Sequence, residues 1–349
     1  MPHEMTRQSA QPPVPERFGP GVTIAVPGGE GTSASPDREG TLPPFGSGPA
    51  SPLGPGEEPE LAGAQAPARP FHHLDVLWLQ VAGTLCNLAC THCFVTCGPH
   101  EDRHAMMSRT DVRTQVDAAR VLGVKEVYMT GGEPFLNAEI EDIVEDTLSH
   151  APVTLLTNGT LFTQRRVAWL AALSARARYS LELRVSLDGT DAAAHDAFRG
   201  AGAWLRALAG LRALCAAGLL PIVTVTRPAP EEPRAFAARC TAVLRAEGIP
   251  TPRLKLLPMF QLGREAARSG PYPAAHTLAA LPEREFDAHR LQCGSCRAVT
   301  SRGVYVCPLL VDEPGGRMAD TLAGSLRAFP LSHAACATCY ATGMTCAND

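Results

Sequence analysis

From Gly83 to Gly98 the chain reads Gly-Thr-Leu-Cys-Asn-Leu-Ala-Cys-Thr-His-Cys-Phe-Val-Thr-Cys-Gly, which sets Cys86, Cys90 and Cys93 in a C-x3-C-x2-C spacing. Three thiols that close together cannot all pack on one face of a helix or strand. They meet at one centre only from a loop that curls around it. Thiolates at this density hold zinc or an iron–sulfur cluster. A four-iron cluster ordinarily takes one cysteine per iron, so a loop offering three leaves one iron open. Two other readings stand beside this one. A zinc knuckle would recruit Cys97 or His92 as its fourth ligand. A ferredoxin-like carrier uses C-x2-C-x2-C-x3-C-P, and Cys90, Cys93, Cys97 and Pro99 copy part of that run with the wrong first spacing.

The loop follows the C-terminal end of an apolar run at 74–81, the pattern of a strand buried on both faces. Further strands are predicted at 125–130, 153–156, 181–187, 220–226 and 253–257. Helices are predicted at 112–122, 138–149, 163–177, 203–217 and 233–247, the last opening on Pro233 and stopping at Gly248. Strands alternating with helices imply right-handed βαβ units and a parallel sheet. The fold class expected is α/β, a partial, TIM-like (β/α)6 barrel. In such folds the working groups sit at the C-terminal ends of the strands. Here those ends carry the cysteine loop, Gly131-Gly132-Glu133-Pro134, Thr157-Asn158-Gly159 and Ser186-Leu187-Asp188-Gly189.

The cysteine loop resembles that of the radical S-adenosylmethionine (radical SAM) family, in which a C-x3-C-x2-C loop holds a four-iron cluster. Ring side chains commonly flank the third cysteine there, and His92 and Phe94 stand in those places. The resemblance implies that the open iron chelates S-adenosylmethionine. It implies one-electron cleavage of that cofactor to a 5′-deoxyadenosyl radical, which takes hydrogen from a substrate, and it predicts the same partial barrel. Gly131, Gly132 and Glu133 match the family's GGEP motif, which by resemblance receives the methionyl ammonium. Two glycines also let a backbone approach a ligand closely. Ser186-Leu187-Asp188-Gly189, His195-Asp196 and Arg199-Gly200 match a pattern of the SPASM-containing branch. Ser186 and Arg199 then look like contacts to the cofactor's carboxylate and ribose, and a guanidinium suits a carboxylate. Asp188 either caps a helix or shapes a turn, and His195 reads as structural. Asn158 either reaches the site or marks an Asn-Gly turn. Leu256 and Leu257 either flank adenine or pack in the core. Cys215 and Cys240 stand alone on apolar helices and read as small hydrophobes.

Past residue 285 the βα rhythm stops. Cys293, Cys296 and Cys307 are followed by Cys336, Cys339 and Cys346, with Gly303-Val304-Tyr305-Val306 as a short hairpin strand. Two C-x2-C pairs in a short segment suggest a lobe held by metal. The segment resembles a SPASM or shorter twitch domain. The resemblance implies one auxiliary four-iron cluster, or two with three cysteines each; a zinc ribbon uses the same ligands. Residues 1–70 hold roughly half of the 31 prolines and predict a disordered tail. Domain boundaries follow: tail 1–70, core 71–265, auxiliary-cluster segment with its linker 266–349.

A net charge of −4 gives no electrostatic footprint for nucleic acid or an anionic membrane. Twelve cysteines without an export signal favour metal over disulfides and a cytoplasmic location. The function expected is a radical SAM enzyme acting on a peptide or small molecule, by oxidation or cross-linking, with a flavodoxin- or ferredoxin-like reductant. The alternative is a non-enzymatic iron–sulfur electron carrier or scaffold, with four protein ligands at every cluster.

Overall fold

The computed structural model describes residues 66–227, 231–279, 286–343 and 346–347, all within one compact unit, Pro59–Asp349. Residues 1–65 of the predicted tail lie outside the described residues. Among the described residues the strands are β1 (Ala68–Arg69), β2 (Val76–Leu79), β3 (Glu126–Met129), β4 (Val153–Thr157), β5 (Leu181–Ser186), β6 (Ile222–Arg227), β7 (Arg253–Pro258), β8 (Cys296–Thr300), β9 (Gly303–Tyr305), β10 (Arg317–Ala319) and β11 (Phe329–Pro330). The helices are α1 (Arg109–Val121), α2 (Ile140–Leu148), α3 (Gln164–Arg176), α4 (Ala192–Arg199), α5 (Ala203–Ala216), α6 (Pro233–Ala246), α7 (Gly263–Ser269) and α8 (Ala334–Thr342).

The fold is α/β with a mostly parallel central sheet in the order β10-β9-β8-β2-β3-β4-β5-β6-β7. Strands β2 to β7 pair in chain order, each with a helix between, as the alternation predicts. Every residue of β2 is buried, which fits a strand covered on both faces. Helix α1 starts where a capping box forms between Ser108 and Asp111. The main core fills the space between sheet and helices with Leu77, Leu79, Val127, Met129, Leu155, Leu183 and Val223 on the strand side.

Three features depart from the expected plan. First, the C-terminal segment does not stand apart as a small domain: β8 pairs in parallel with β2, and β9 and β10 follow it antiparallel. This covers the outer edge of β2, whose backbone groups would otherwise be left unpaired. Second, Ala68 and Arg69 pair with Pro330 and Phe329, so ordered chain begins before residue 71. Third, α4 and α7 are not predicted. Each buries a single side chain, His195 and Glu265, so neither shows an apolar stripe for a sequence pattern to detect. Among the described residues no helix is long and apolar enough to cross a membrane.

Register places the two cysteine groups. Cys296 opens β8 opposite Val76, the first residue of β2, whereas the cysteine loop leaves β2 after Leu79. Three strand residues span about 10 Å. The C-terminal cysteines therefore gather toward the end of the sheet opposite the loop.

Candidate active site

The loop 86–97 is closed by its own backbone. Cys86 N–H donates to Gly98 O (3.0 Å), Gly98 N–H donates to Thr84 O (3.1 Å), and Leu85 and Gly98 form a β-bridge. The turn after β3 lies against it: Gly132 N–H donates to Gly83 O (2.9 Å) and Glu133 N–H to Leu85 O (3.0 Å). A Cβ on Gly132 would stand 1.9 Å from Leu85 O. That close approach is the physical need for glycine there. Two arginines donate to carbonyls of the loop. Arg264, at the start of α7, donates from its backbone to Cys93 O (3.0 Å) and from its guanidinium to Cys97 O (2.6 Å). Arg103 donates to Val95 O (2.6 Å) and Thr96 O (3.0 Å).

Cys86, Cys90 and Cys93 line one cavity of about 220 Å³ together with His92, Phe94, Gly131, Gly132, Ser186 and Arg199. All twelve cysteines lie among the described residues and are free thiols. Burial pushes the Cys86 thiol up to about 12 and raises that of Cys90. The Cys93 thiol is instead lowered, chiefly by hydrogen bonding with Cys97, whose amide N–H donates to its sulfur at 3.3 Å. Thiols buried in this way ionise only when a cation compensates the charge, and three sulfurs facing one cavity suit a polynuclear cluster. Among the described residues no three His, Cys, Asp or Glu side chains are grouped so as to hold a single metal ion. The Nδ1 of His92 is buried and has no hydrogen-bond partner among the described residues, leaving a polar atom to be met at the cavity.

Asp188 ties three elements together. Its carboxylate accepts from Arg199 Nε (2.6 Å), from the Thr226 amide (2.9 Å) and from His92 Nε2 at 2.9 Å. Burial alone would raise this carboxyl; Arg199, His92 and the Thr226 amide outweigh burial and hold it well below the usual carboxylate range. His195 is buried behind it, with Nδ1 accepting from the Asp188 amide (3.0 Å) and its ring against Trp204.

Glu133 lies behind the cavity wall. Its side chain is buried, does not line the cavity, and accepts from Thr157 Oγ1 (2.8 Å), Asn158 N (2.8 Å) and Phe135 N (3.2 Å). It braces the end of β4 against the cysteine loop. Asn158 in turn donates to Asn87 Oδ1 (2.8 Å) and lines the cavity. Leu257 also lines it, whereas Leu256 packs on the main core, as do Cys240 and, partly buried, Cys215.

Cys293, Cys296, Cys307, Cys336, Cys339 and Cys346 line a second cavity of about 40 Å³. Burial raises all six thiols, Cys293 and Cys346 to about 12. Six desolvated thiols around one space fit a metal-thiolate centre, because metal takes over the charge that burial opposes. Cys346, alone among the described cysteines, lines both cavities. It is held there by Gln292, which accepts from the amides of Cys346 and Ala347 (3.1 Å each), and by Arg184, which donates to Cys346 O (2.5 Å).

Sequence reasoning did not single out Arg103, Arg184, Arg264 or Gln292. Arg264 reaches the loop across 167 positions of chain, and nothing local marks it. The Asp188–Arg199 pair, eleven residues apart, spans a strand end and a helix that was not predicted.

The chain is similar to several known proteins. The mycofactocin maturase MftC of Mycolicibacterium smegmatis (strain ATCC 700084 / mc(2)155) is 34% identical over 167 residues, 46% of this chain and 41% of that protein. An AdoMet-dependent heme synthase of Methanosarcina barkeri (strain Fusaro / DSM 804) is 33% identical over 141 residues, 40% of this chain and 38% of that protein. The chain thus spans well under half the length of these relatives. Among solved structures, Streptococcus suis SuiB bound to precursor peptide SuiA superposes with a TM-score of 0.54 at 16% identity, covering 73% of this chain and 65% of that one. Native anSMEcpe with bound AdoMet and Cp18Cys peptide gives 0.51 at 14% identity, covering 72% and 79%. At such identities the likeness speaks to the fold. Residues 81–230, which carry the cysteine loop, the Gly-Gly-Glu-Pro turn, Ser186 and Arg199, match the radical SAM superfamily model, so this stretch of the chain is a radical SAM domain.

Proposed function

We propose that Cys86, Cys90 and Cys93 hold a four-iron cluster and that S-adenosylmethionine binds beside it in the cavity at the strand ends. The observation that carries this reading is that the three cysteines, Gly131, Gly132, Ser186 and Arg199, distant in sequence, face one space. When bound, cluster and cofactor supply one-electron cleavage to a 5′-deoxyadenosyl radical and removal of a hydrogen atom from substrate. The chain's own residues fix positions and exclude water. Gly131 and Gly132 leave room for the methionyl end. Arg199, oriented by Asp188, offers a fixed cation to the cofactor's carboxylate, and Ser186 offers a hydroxyl near its ribose. Glu133 acts indirectly, by holding Asn158 and the end of β4.

Ligands drawn from the six C-terminal cysteines hold one auxiliary iron–sulfur cluster, or two with three cysteines each, as in the SPASM or twitch branch. Residues 71–265 and 266–349 then divide by function, though they share one sheet. A peptide is the substrate class we favour. The first-matched relative is named a maturase, and SuiB and anSMEcpe, which share the fold, are described with peptides bound. The apolar part of the cavity wall, Leu257, Phe260, Leu309 and Val311, suits an inserted side chain. A flavodoxin- or ferredoxin-like reductant and a reducing cytoplasm go with this chemistry.

The test is anaerobic reconstitution followed by dithionite and S-adenosylmethionine. Release of 5′-deoxyadenosine by the wild type, absent in Cys90→Ala, is the expected outcome. No release from fully loaded protein would favour the carrier reading. A short precursor peptide encoded nearby whose mass changes on incubation would identify the substrate class.

A further inference from the structure

Besides His92 Nδ1, two buried polar atoms on the wall of the larger cavity lack a hydrogen-bond partner among the described residues: Trp78 Nε1 and Gln80 Oε1. Strand β2 turns alternate side chains to opposite faces of the sheet. Leu77 and Leu79 pack in the main core, so Trp78 and Gln80 take the other face, where both line the cavity. Trp78 is 2% exposed and Gln80 5%, so bulk water does not serve them. A buried polar atom left unmet costs stability, and a pair on one cavity wall points to a ligand that meets them.

Both residues are held firmly. Trp78 pairs with Tyr128 on one side and Ala298 on the other, and its ring stacks on that of Tyr128 with centroids 4.3 Å apart. The Gln80 amide donates to Val299 O (2.9 Å), and its carbonyl accepts from the Gly83 amide (2.9 Å). The wall therefore offers one fixed donor and one fixed acceptor, which decides what it takes. An ammonium brings donors only and leaves the indole N–H unmet, and among the described residues no Asp or Glu lines the cavity to balance its charge. A carboxylate or phosphate brings acceptors only and sets its charge against Gln80 Oε1. The two arginines on the wall are already engaged, Arg199 with Asp188, and Arg184 with Thr224 Oγ1 (3.2 Å) and Cys346 O. A secondary amide is neutral and supplies both partners, its C=O accepting from Trp78 and its N–H donating to Gln80.

We propose that Trp78 and Gln80 form a substrate subsite that grips a secondary amide, the group a peptide backbone presents, with the neighbouring apolar side chain against Leu257, Phe260 and Leu309. This rests on the reading above of the cavity as the place where a peptide meets the cofactor.

The experiment uses reconstituted full-length protein with its cluster oxidised and S-adenosylmethionine present, so that no turnover occurs, and follows binding by saturation-transfer NMR. N-methylisovaleramide, methyl isovalerate and isovalerate share one branched apolar group and carry an amide, an ester and a carboxylate. In the wild type the amide is expected to bind about tenfold more tightly than the carboxylate, and than the ester, which keeps the carbonyl and loses the donor. Trp78→Phe, which keeps a ring against Tyr128, should weaken amide and ester alike. Gln80→Met should erase the preference for amide over ester. Iron per chain and circular dichroism report whether each variant is loaded and folded, and the wild-type comparison decides the question even where a variant is not. Equal binding of amide and ester, tighter binding of the carboxylate, or no binding of the amide would overturn the subsite. Folded, loaded variants that keep the wild-type pattern would overturn it as well. The cluster reading fails separately: wild type with full iron that releases no 5′-deoxyadenosine under dithionite removes that reading and the substrate role with it, whereas release without any amide preference removes the subsite alone.

Discussion

Asp188 concentrates the electrostatics of the site at the residue scale. One buried carboxylate orients both the guanidinium of Arg199 and the imidazole of His92, so a single side chain couples the cofactor's proposed anchor to the cysteine loop. Buried ion pairs of this kind contribute more to geometry than to net stability, and removing one partner strands a charge. His195 behind them gives a measurable pH effect. Burial, then the charge of Arg199, lowers its pKa from 6.5 to about 4, and its Nε2 has no hydrogen-bond partner among the described residues. A histidine with a depressed folded pKa stabilises the fold fully above its unfolded pKa, and this is lost progressively as pH falls from 6.5 through about 4. We expect anaerobic denaturant titrations to show about 2 kcal/mol less stability at pH 5 than at pH 7 from this group. His195→Gln should flatten that slope; an equal slope in the variant would assign the effect to other groups.

The decisive contact between elements is backbone against backbone, where the turn after β3 meets the cysteine loop. Gly132 is spared a side chain because Leu85 O occupies the space. Gly263 plays the same part for α7: its φ is +52° and a Cβ would stand 2.5 Å from Phe94 O. Forcing the loop off the turn by a methyl group costs about 1–3 kcal/mol, and the displacement falls on the cysteines. Gly132→Ala is therefore expected to keep the helix content seen by circular dichroism while losing iron after reconstitution. Full iron loading in that variant would show that the loop tolerates the shift.

Across the whole molecule, the sheet carries a thiol group toward each end of its central strands with the larger cavity between them. Cys346, with Gln292 accepting from its amide and Arg184 donating to its carbonyl, forms the partition. Because the C-terminal strands continue the main sheet, the metal proposed at the second group would stabilise the core and not an appendage. Cys336→Ala combined with Cys339→Ala is expected to lower iron per chain, to leave the cofactor-sensitive cluster signal in place, and to lower the melting temperature of the reconstituted protein. Unchanged iron in that variant would remove α8 from the ligand set.

The alternation of apolar runs with helical patterns determined six strands, five helices and their order, because period and length are local properties. The spacing of Cys86, Cys90 and Cys93 marked a candidate metal loop for the same reason. Cys346 could be named as a candidate ligand, but not as a wall shared by two cavities, since that depends on Arg184 and Gln292 from distant segments. Glu133 was legible as part of a motif but its partners were not: its carboxylate turns to Thr157 and Asn158, a choice made by packing. Tertiary structure alone decided that β8 would complete the sheet beside β2, that Arg264 would clasp a loop far upstream, and that Cys97 would face Cys93. Each of these joins residues far apart in the chain, or depends on the backbone conformation between them, and spacing along the sequence carries no record of either.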